Sequence, residues 1–260
     1  MPMICVEDSE PQLSPALRAM TPPPSSQMTV FCDLDGPLID VSERYYQTYQ
    51  LGLIDTQATY QAQGMTLPLQ VLSKKQFWRM KQDRTPDSEI ALRSGLQSEQ
   101  ITFFLERVHQ IVNQPALLQK DQLQPGVRWS LILLRAWGVR LAVVTLRNQI
   151  EAVQILQDYG LAHLFSSIQG TQDGLAAYRN YTEYKKELLA DMMGQEDYSQ
   201  AESIWMIGDT EADILAGQAM GISTIAVTCG IRSMSYLNQL QPTRIHHDLF
   251  SATHYLLGVT

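Results

Sequence analysis

The strongest constraint on this chain is a rhythm. Four short apolar runs, MTVFCDLD (28–35), VRLAVVT (139–145), SIWMIGD (203–209) and STIAVT (223–228), carry β-branched or aromatic residues and do not alternate with polar ones. A strand with one face in water alternates, so unbroken runs of this length fit strands covered on both faces. SLILLRAWG (130–138), NQIEAVQILQDYG (148–160), YTEYKKELLADMMG (181–194) and EADILAGQAMG (211–221) place apolar residues at helical spacing and end on glycine. Strand and helix in alternation predict an α/β fold, a parallel sheet with right-handed crossovers and helices on both faces.

The interval from residue 41 to residue 124 breaks the rhythm and reads as consecutive helices. Ile101, Phe104, Leu105, Val108 and Val112 form one stripe, and Thr85-Pro86 reads as an N-cap followed by proline at the first helical position. Residues 41–124 are therefore expected to be a helical insert in a core made of residues 28–40 and 125–260, with hinges at the two joints. Residues 1–27, ending TPPPSSQ, lack periodicity and are expected to be a disordered or extended tail.

Charge narrows the function. The 260 residues carry a net charge of −8 with no block of like charge, which argues against a nucleic-acid surface. An anionic substrate would need positive charge supplied locally by its site. No apolar run approaches the roughly 18 residues of a membrane span, and Glu7, Asp8 and Glu10 stand where a secretory signal would be basic. Cys5, Cys32 and Cys229 make neither a disulfide framework nor a zinc site. A cytoplasmic protein is expected.

In an open parallel sheet, ligands bind beyond the carboxyl ends of the strands. Asp33 and Asp35 stand at the first such end, Thr145 at the second, and Asp209 at the third with Asp213 four residues on. Four clustered carboxylates repel one another, and a hard divalent cation with oxygen ligands, Mg²⁺ by preference, would neutralise them. Lys185 or Lys186, in the helix before the third strand, would offset the remaining charge and bind a phosphate oxygen, and the Thr145 hydroxyl would hold another. One aspartate is then free to attack phosphorus and the other to move the proton of the leaving group. Each motif alone has a plainer explanation: a DxD in a turn, acids in the first turn of a helix after GD, or a lysine pair facing water beside Glu183 and Glu187. Their joint order along the chain favours the chemical one.

With DLDGPL (33–38), VVTLRN (143–148), the YKKELL helix (184–189) and MIGDTEADILAGQAMGISTIAVTCGIRS (206–233), residues 28–255 resemble the haloacid dehalogenase superfamily, and within it helical-cap phosphatases similar to phosphoglycolate phosphatase. The resemblance implies a Rossmann-like core with a mobile cap. It implies Asp33 as nucleophile, Asp35 as general acid and base, and Thr145 as phosphate ligand, with Mg²⁺ held by Asp33, the backbone carbonyl of Asp35, and Asp209, and with Asp213 supporting the group. Lys185 matches the pattern of the motif lysine, with Lys186 as the alternative. An acid at position 35 favours a phosphatase over a dehalogenase. Pro37 departs from the threonine or valine usual there and removes a hydroxyl and an N–H from the neighbourhood of Asp35.

The implied substrate is a small phosphorylated metabolite. Recognition of its non-phosphate end is assigned to the cap stretch SKKQFWRMKQDRTPD (73–87), with Arg79 and Arg84 foremost, or else that stretch is a solvated helix face over Phe77 and Trp78. Leu146 and Arg147 adjoin the phosphate site; Arg147 assists phosphate binding or caps the next helix. His109, His163, His246, His247 and His254 receive no chemistry, and Trp129, Trp137 and Trp205 are read as packing residues. A catalytically weak sensing or protein-binding relative, a phosphomutase and a pyrophosphatase are the alternatives.

Overall fold

A computed structural model describes residues 28–195, 198 and 201–259. The tail expected at residues 1–27 lies outside the described residues. A six-stranded parallel sheet forms the centre, built from β1 (Met28–Cys32), β4 (Arg140–Asn148), β5 (Ser167–Thr171), β6 (Ser203–Gly208), β7 (Ser223–Val227) and β8 (Arg244–His246) in the order β5-β4-β1-β6-β7-β8. The four runs read from sequence are its four central strands. Phe31, Val143, Val144, Met206, Ile207 and Ile225 are fully buried, which explains why those strands show no alternation.

β4 runs three residues past Thr145, where the sequence pattern ends, with a register irregularity between Val144 and Asn148. The bulged end re-aims Thr145, Leu146 and Arg147. The edge strands β5 and β8 are short and carry polar residues, as edges do.

Helices α1 (Ser42–Ala62), α2 (Lys74–Gln82), α3 (Asp87–Arg93), α4 (Glu99–Ile111) and α5 (Pro115–Leu118) follow one another between the two short strands β2 (Ile39–Asp40) and β3 (Gln122–Leu123). β2 and β3 pair antiparallel, Ile39 opposite Leu123, so the chain enters and leaves the helical segment side by side. The α4 stripe is as expected: Phe104, Val108 and Val112 are buried, with Ile101 and Leu105 half-buried behind them. α3 starts one residue later than expected. Pro86 is its N-cap residue, Asp87 opens the helix, and Thr85 is left outside, facing a cavity.

Further α-helices among the described residues are α6 (Val127–Ala136), α7 (Gln149–Asp158), α8 (Ala176–Arg179), α9 (Thr182–Met193), α10 (Glu211–Ala219), α11 (Met234–Gln239) and α12 (Leu249–Leu257). α9 buries Lys185, Leu189 and Met192, one stripe at helical spacing. Lys186 lies about 100° round from it, is half-buried, and binds Glu183 at 2.8 Å. Of the two lysines, Lys185 alone points inward.

Candidate active site

The cluster forms where β1, β4 and β6 end. Asp33 continues the β1 ladder, its N–H donating to Ile207 at 2.9 Å, and so projects beyond the sheet. Lys185 Nζ lies 2.8 Å from Asp33 Oδ1 and 2.7 Å from Asp213 Oδ1, with its side chain 1% exposed. Asp213 is held twice more. Its Oδ2 accepts from the Thr210 N–H at 3.1 Å and from the Thr210 hydroxyl at 2.9 Å, closing the N-terminus of α10 as a capping box.

Two glycines make this density possible. A Cβ on Gly208 would lie 2.1 Å from Asp213 Cγ, so the glycine of GDxxxD is needed for the second acid to fold back over the strand end. Gly36 has φ +98°, and a Cβ there would lie 2.1 Å from Asp209 Cγ.

Asp33, Asp209 and Asp213 each offer an oxygen within 4.8 Å of the others. Burial, and then the charge of Asp213, push Asp33 up to about 7 against the opposing pull of Lys185. Burial, followed by Asp213 and Asp33, likewise carries Asp209 well above the usual carboxylate range. Burial alone would depress Lys185, but Asp213 and Asp33 outweigh it and raise the lysine, which stays charged. One positive charge among three acids leaves the pocket short of cation.

Asp209 shows where a cation fits. Its Oδ2 accepts from the Ile231 N–H at 2.6 Å, while its Oδ1 is buried with no hydrogen-bond partner. A buried unpaired carboxylate oxygen beside Asp33 suits a hard divalent cation held by those two residues. Asp213 also has an Oδ1 without a hydrogen bond, but it is ion-paired with Lys185 at 2.7 Å while its Oδ2 accepts from Thr210, so Asp213 is less free than Asp209 to hold a cation.

Asp35, two residues after Asp33, is aimed elsewhere, as the turn at Gly36 predicts. Arg44 of α1 reaches its Oδ2 at 3.1 Å, and Arg147 lies 2.8 Å from its Oδ1. The expectation that Arg147 assists phosphate or caps a helix is corrected by this placement. Its guanidinium is 3% exposed, turned onto Asp35 and Asp121, while Asn148 caps α7 through its side-chain oxygen. Burial would lower Arg147, but Asp35 and Asp121 hold it well above its ordinary value.

A cavity of about 530 Å³ opens over these groups. Asp33, Asp35, Thr145, Leu146 and Asp209 line its floor, and Lys81, Arg84, Thr85, Asp87 and His109 of the helical segment line its roof. Arg84 reaches it from a left-handed residue (φ 60°) and pairs with Glu211 at 2.8 Å. Arg79 does not reach it: Phe77 and Met80 face inward from α2, and the Arg79 side chain is 81% exposed, 3.8 Å from Asp83.

Of the cations in the cap stretch read from sequence, Lys81 also lines the cavity, whereas Tyr178 and Arg232 escaped the sequence reading. Lys81 is buried against Asp87 at 2.8 Å, and the Tyr178 hydroxyl donates to Asp87 from the other side at 2.8 Å. His109, given no chemistry from sequence, sits edge-on to the Tyr178 ring at 5.6 Å, its basicity lowered by burial and then by Arg179. Arg232 grips Glu211 at 2.8 Å and donates to the Lys81 carbonyl at 3.1 Å, tying the roof to the floor. The signal for Arg232 was its place in the GIRS segment after the last central strand. Arg44 and Asp121 offered none.

A family model described as haloacid dehalogenase-like hydrolase matches residues 30–227. The phosphoglycolate phosphatase of Neisseria meningitidis is 33% identical over 120 residues, 46% of this chain and 48% of that protein. These matches span about half the length of the first curated relatives. The phosphoglycolate phosphatase of Aliivibrio fischeri is 25% identical over 87% of this chain and 93% of its own. In fold, a solved structure titled as a predicted phosphatase from Clostridium acetobutylicum superposes with TM-score 0.62 at 20% identity, covering 90% of this chain and all of that one. Among the described residues, no helix is long and apolar enough to cross a membrane.

Proposed function

Because the chain belongs to the haloacid dehalogenase-like hydrolases, we propose that it is a Mg²⁺-dependent phosphatase that cleaves a small-molecule phosphate monoester through an aspartyl-phosphate. The observation that carries this reading is the Lys185 ammonium set between Asp33 and Asp213, beside an Asp209 oxygen with no protein partner. That group of charges has a use for a cation and for a phosphate, and a plain binding module would have no use for Asp35 beside it.

Asp33 attacks phosphorus. The new Asp33 oxygen–phosphorus bond forms as the ester bond to the leaving alkoxide breaks, and Asp35 gives that alkoxide its proton. In the second half Asp35 takes a proton from water, the water oxygen bonds to phosphorus, and the Asp33 carboxylate is restored. Thr145 and the backbone beside it hold phosphate oxygens, and Lys185 offsets their charge. Asp33 and Asp209 would hold a Mg²⁺, which would supply Lewis-acid stabilisation of the phosphoryl charge and favour the ionised form of both carboxylates.

Residues 41–124 act as the cap, with the paired β2 and β3 strands as its neck. Arg84 and Lys81 in the roof meet the end of the substrate remote from phosphorus, and Arg79 has no part in this. The composition and the sparse cysteines, with Cys32 and Cys229 free, favour the cytoplasm. The test is phosphate release from a panel of monoesters, with and without Mg²⁺, against Asp33→Asn. A wild type no faster than Asp33→Asn on every ester would end the proposal. Pyrophosphate belongs in the panel because a pyrophosphatase of Halalkalibacterium halodurans is 25% identical over 82% of this chain.

A further inference from the structure

We infer that Arg44 and Arg147, anchored by Asp121, form a buried clamp that positions the Asp35 carboxylate for proton transfer; the inference rests on the reading of Asp35 as the acid and base. Arg44 spends every guanidinium nitrogen on a different partner: Nε on Asp121 Oδ1 at 2.9 Å, Nη1 on Asn113 Oδ1 at 2.9 Å, and Nη2 on Asp35 Oδ2 at 3.1 Å. Arg147 Nη2 bridges Asp35 Oδ1 at 2.8 Å and Asp121 Oδ2. Arg44, Asp121 and Arg147 are 2%, 5% and 3% exposed.

Each oxygen of Asp35 thus faces its own guanidinium, and both guanidinia share one second carboxylate. With Asp35 ionised, the form that acts as base, two positive and two negative charges balance and the group is neutral as a whole. A carboxylate hydrogen-bonded to Arg44 at one oxygen and ion-paired with Arg147 at the other is restrained in its rotation, whereas a group that donates a proton must meet the leaving oxygen within a narrow range of geometry. The clamp also joins the floor to the helical segment. Arg44 comes from α1, Asp121 from the return to the core, and Arg147 from the bulged end of β4, so the orientation of Asp35 depends on all three. Pro37, with neither hydroxyl nor N–H to offer, leaves this task to the arginines.

Leaving-group dependence separates positioning from mere structure. An alkoxide leaves poorly without a proton; a nitrophenolate leaves well without one. We would measure kcat/KM of wild type, Asp35→Asn, Arg147→Met, Arg147→Lys and Asp121→Asn with glycerol phosphate and phosphoglycolate as alkyl esters and para-nitrophenyl phosphate as the aryl ester. Asp121→Asn keeps the shape of the cluster and stands in if Arg147→Met does not fold. The clamp predicts that Arg147→Met and Asp121→Asn, like Asp35→Asn, slow the alkyl esters at least about tenfold more than the aryl ester, with Arg147→Lys partly restoring them. Equal losses on both ester types in folded clamp variants, with Asp35→Asn still selective, would overturn the clamp and leave the phosphatase reading standing. Equal losses in Asp35→Asn as well would overturn the role of Asp35 and the clamp with it, while an inert Asp33→Asn would keep the nucleophile in place.

Discussion

Replacing Lys185 by methionine tests the electrostatic design of the site without emptying it. Methionine keeps most of the buried stem, so the loss of packing is small. What disappears is the charge lying 2.8 Å from Asp33 and 2.7 Å from Asp213. Breaking a buried pair by removing one partner costs about 3–5 kcal/mol, because the other is left charged in a dry setting. Here two carboxylates are left, with Asp209 close by. They can escape by taking up protons, so the cost must depend on pH. It should be largest near pH ~8, above the value of about 7 to which Asp33 is already pushed, and should shrink well below it. Urea unfolding of metal-free protein at the two pH values measures this directly. The control is Lys186→Met, whose ammonium is paired only with Glu183 on the surface and whose loss should stay within about 0.5 kcal/mol. A Lys185→Met loss below about 1 kcal/mol near pH ~8, or one equal at both pH values, would refute the reasoning, since that is how a surface pair behaves.

Three further outcomes follow from the same geometry. An acid raised in the folded state stabilises below its unfolded value and loses that contribution as pH rises through the folded one, so metal-free wild type should lose stability relative to Asp33→Asn between pH ~4 and ~7. The loss accumulates at up to about 1.36 kcal/mol per pH unit across that window, and a pH-independent difference in urea unfolding would contradict it. Gly36→Ala forces a Cβ towards Asp209 from a φ of +98°; calorimetric titration should show Mg²⁺ binding lost, and unfolding should show about 1–3 kcal/mol of destabilisation. Arg84→Ala should raise KM for the best ester about tenfold or more, and Arg79→Ala should leave it unchanged, as their placements inside and outside the cavity require.

How much of this could be read from the chain depends on how far each interaction reaches. The four central strands announced themselves because both their faces are buried, as Phe31 and Val144 illustrate. The edge strands did not: Ser167–Thr171 reads SIQGT and Arg244–His246 reads RIH, too short and too polar to separate from loop. Asp33, Thr145 and Asp209 were legible because strand ends bring such residues together whatever the details between, and Lys185 through the KKELL pattern of the helix before β6. Lys185 could even be told from Lys186 by its phase with Leu189 and Met192. The contacts that bind the network around Asp35 and the roof are a different case. Arg44 and Asp121 lie 77 residues apart in sequence, and Arg232 meets the carbonyl of Lys81 across 151. No local pattern encodes such pairs. Arg147 was read wrongly for a related reason: its nearest neighbours in sequence are phosphate-site residues, and the carboxylate it serves is on another loop.

The account turns on Asp33 as the atom that takes the phosphoryl group. An enzyme turning over its best ester with Mg²⁺, quenched in acid and reduced with borohydride, reports that directly, because an aspartyl-phosphate is reduced to homoserine where a free carboxylate is not. Peptide mass spectrometry should find homoserine at position 33 in wild type, dependent on substrate, and enriched in Asp35→Asn with an aryl ester, whose leaving group needs no proton while hydrolysis lacks its base. Turnover with residue 33 never modified, or with the homoserine found at another aspartate, would contradict the assignment.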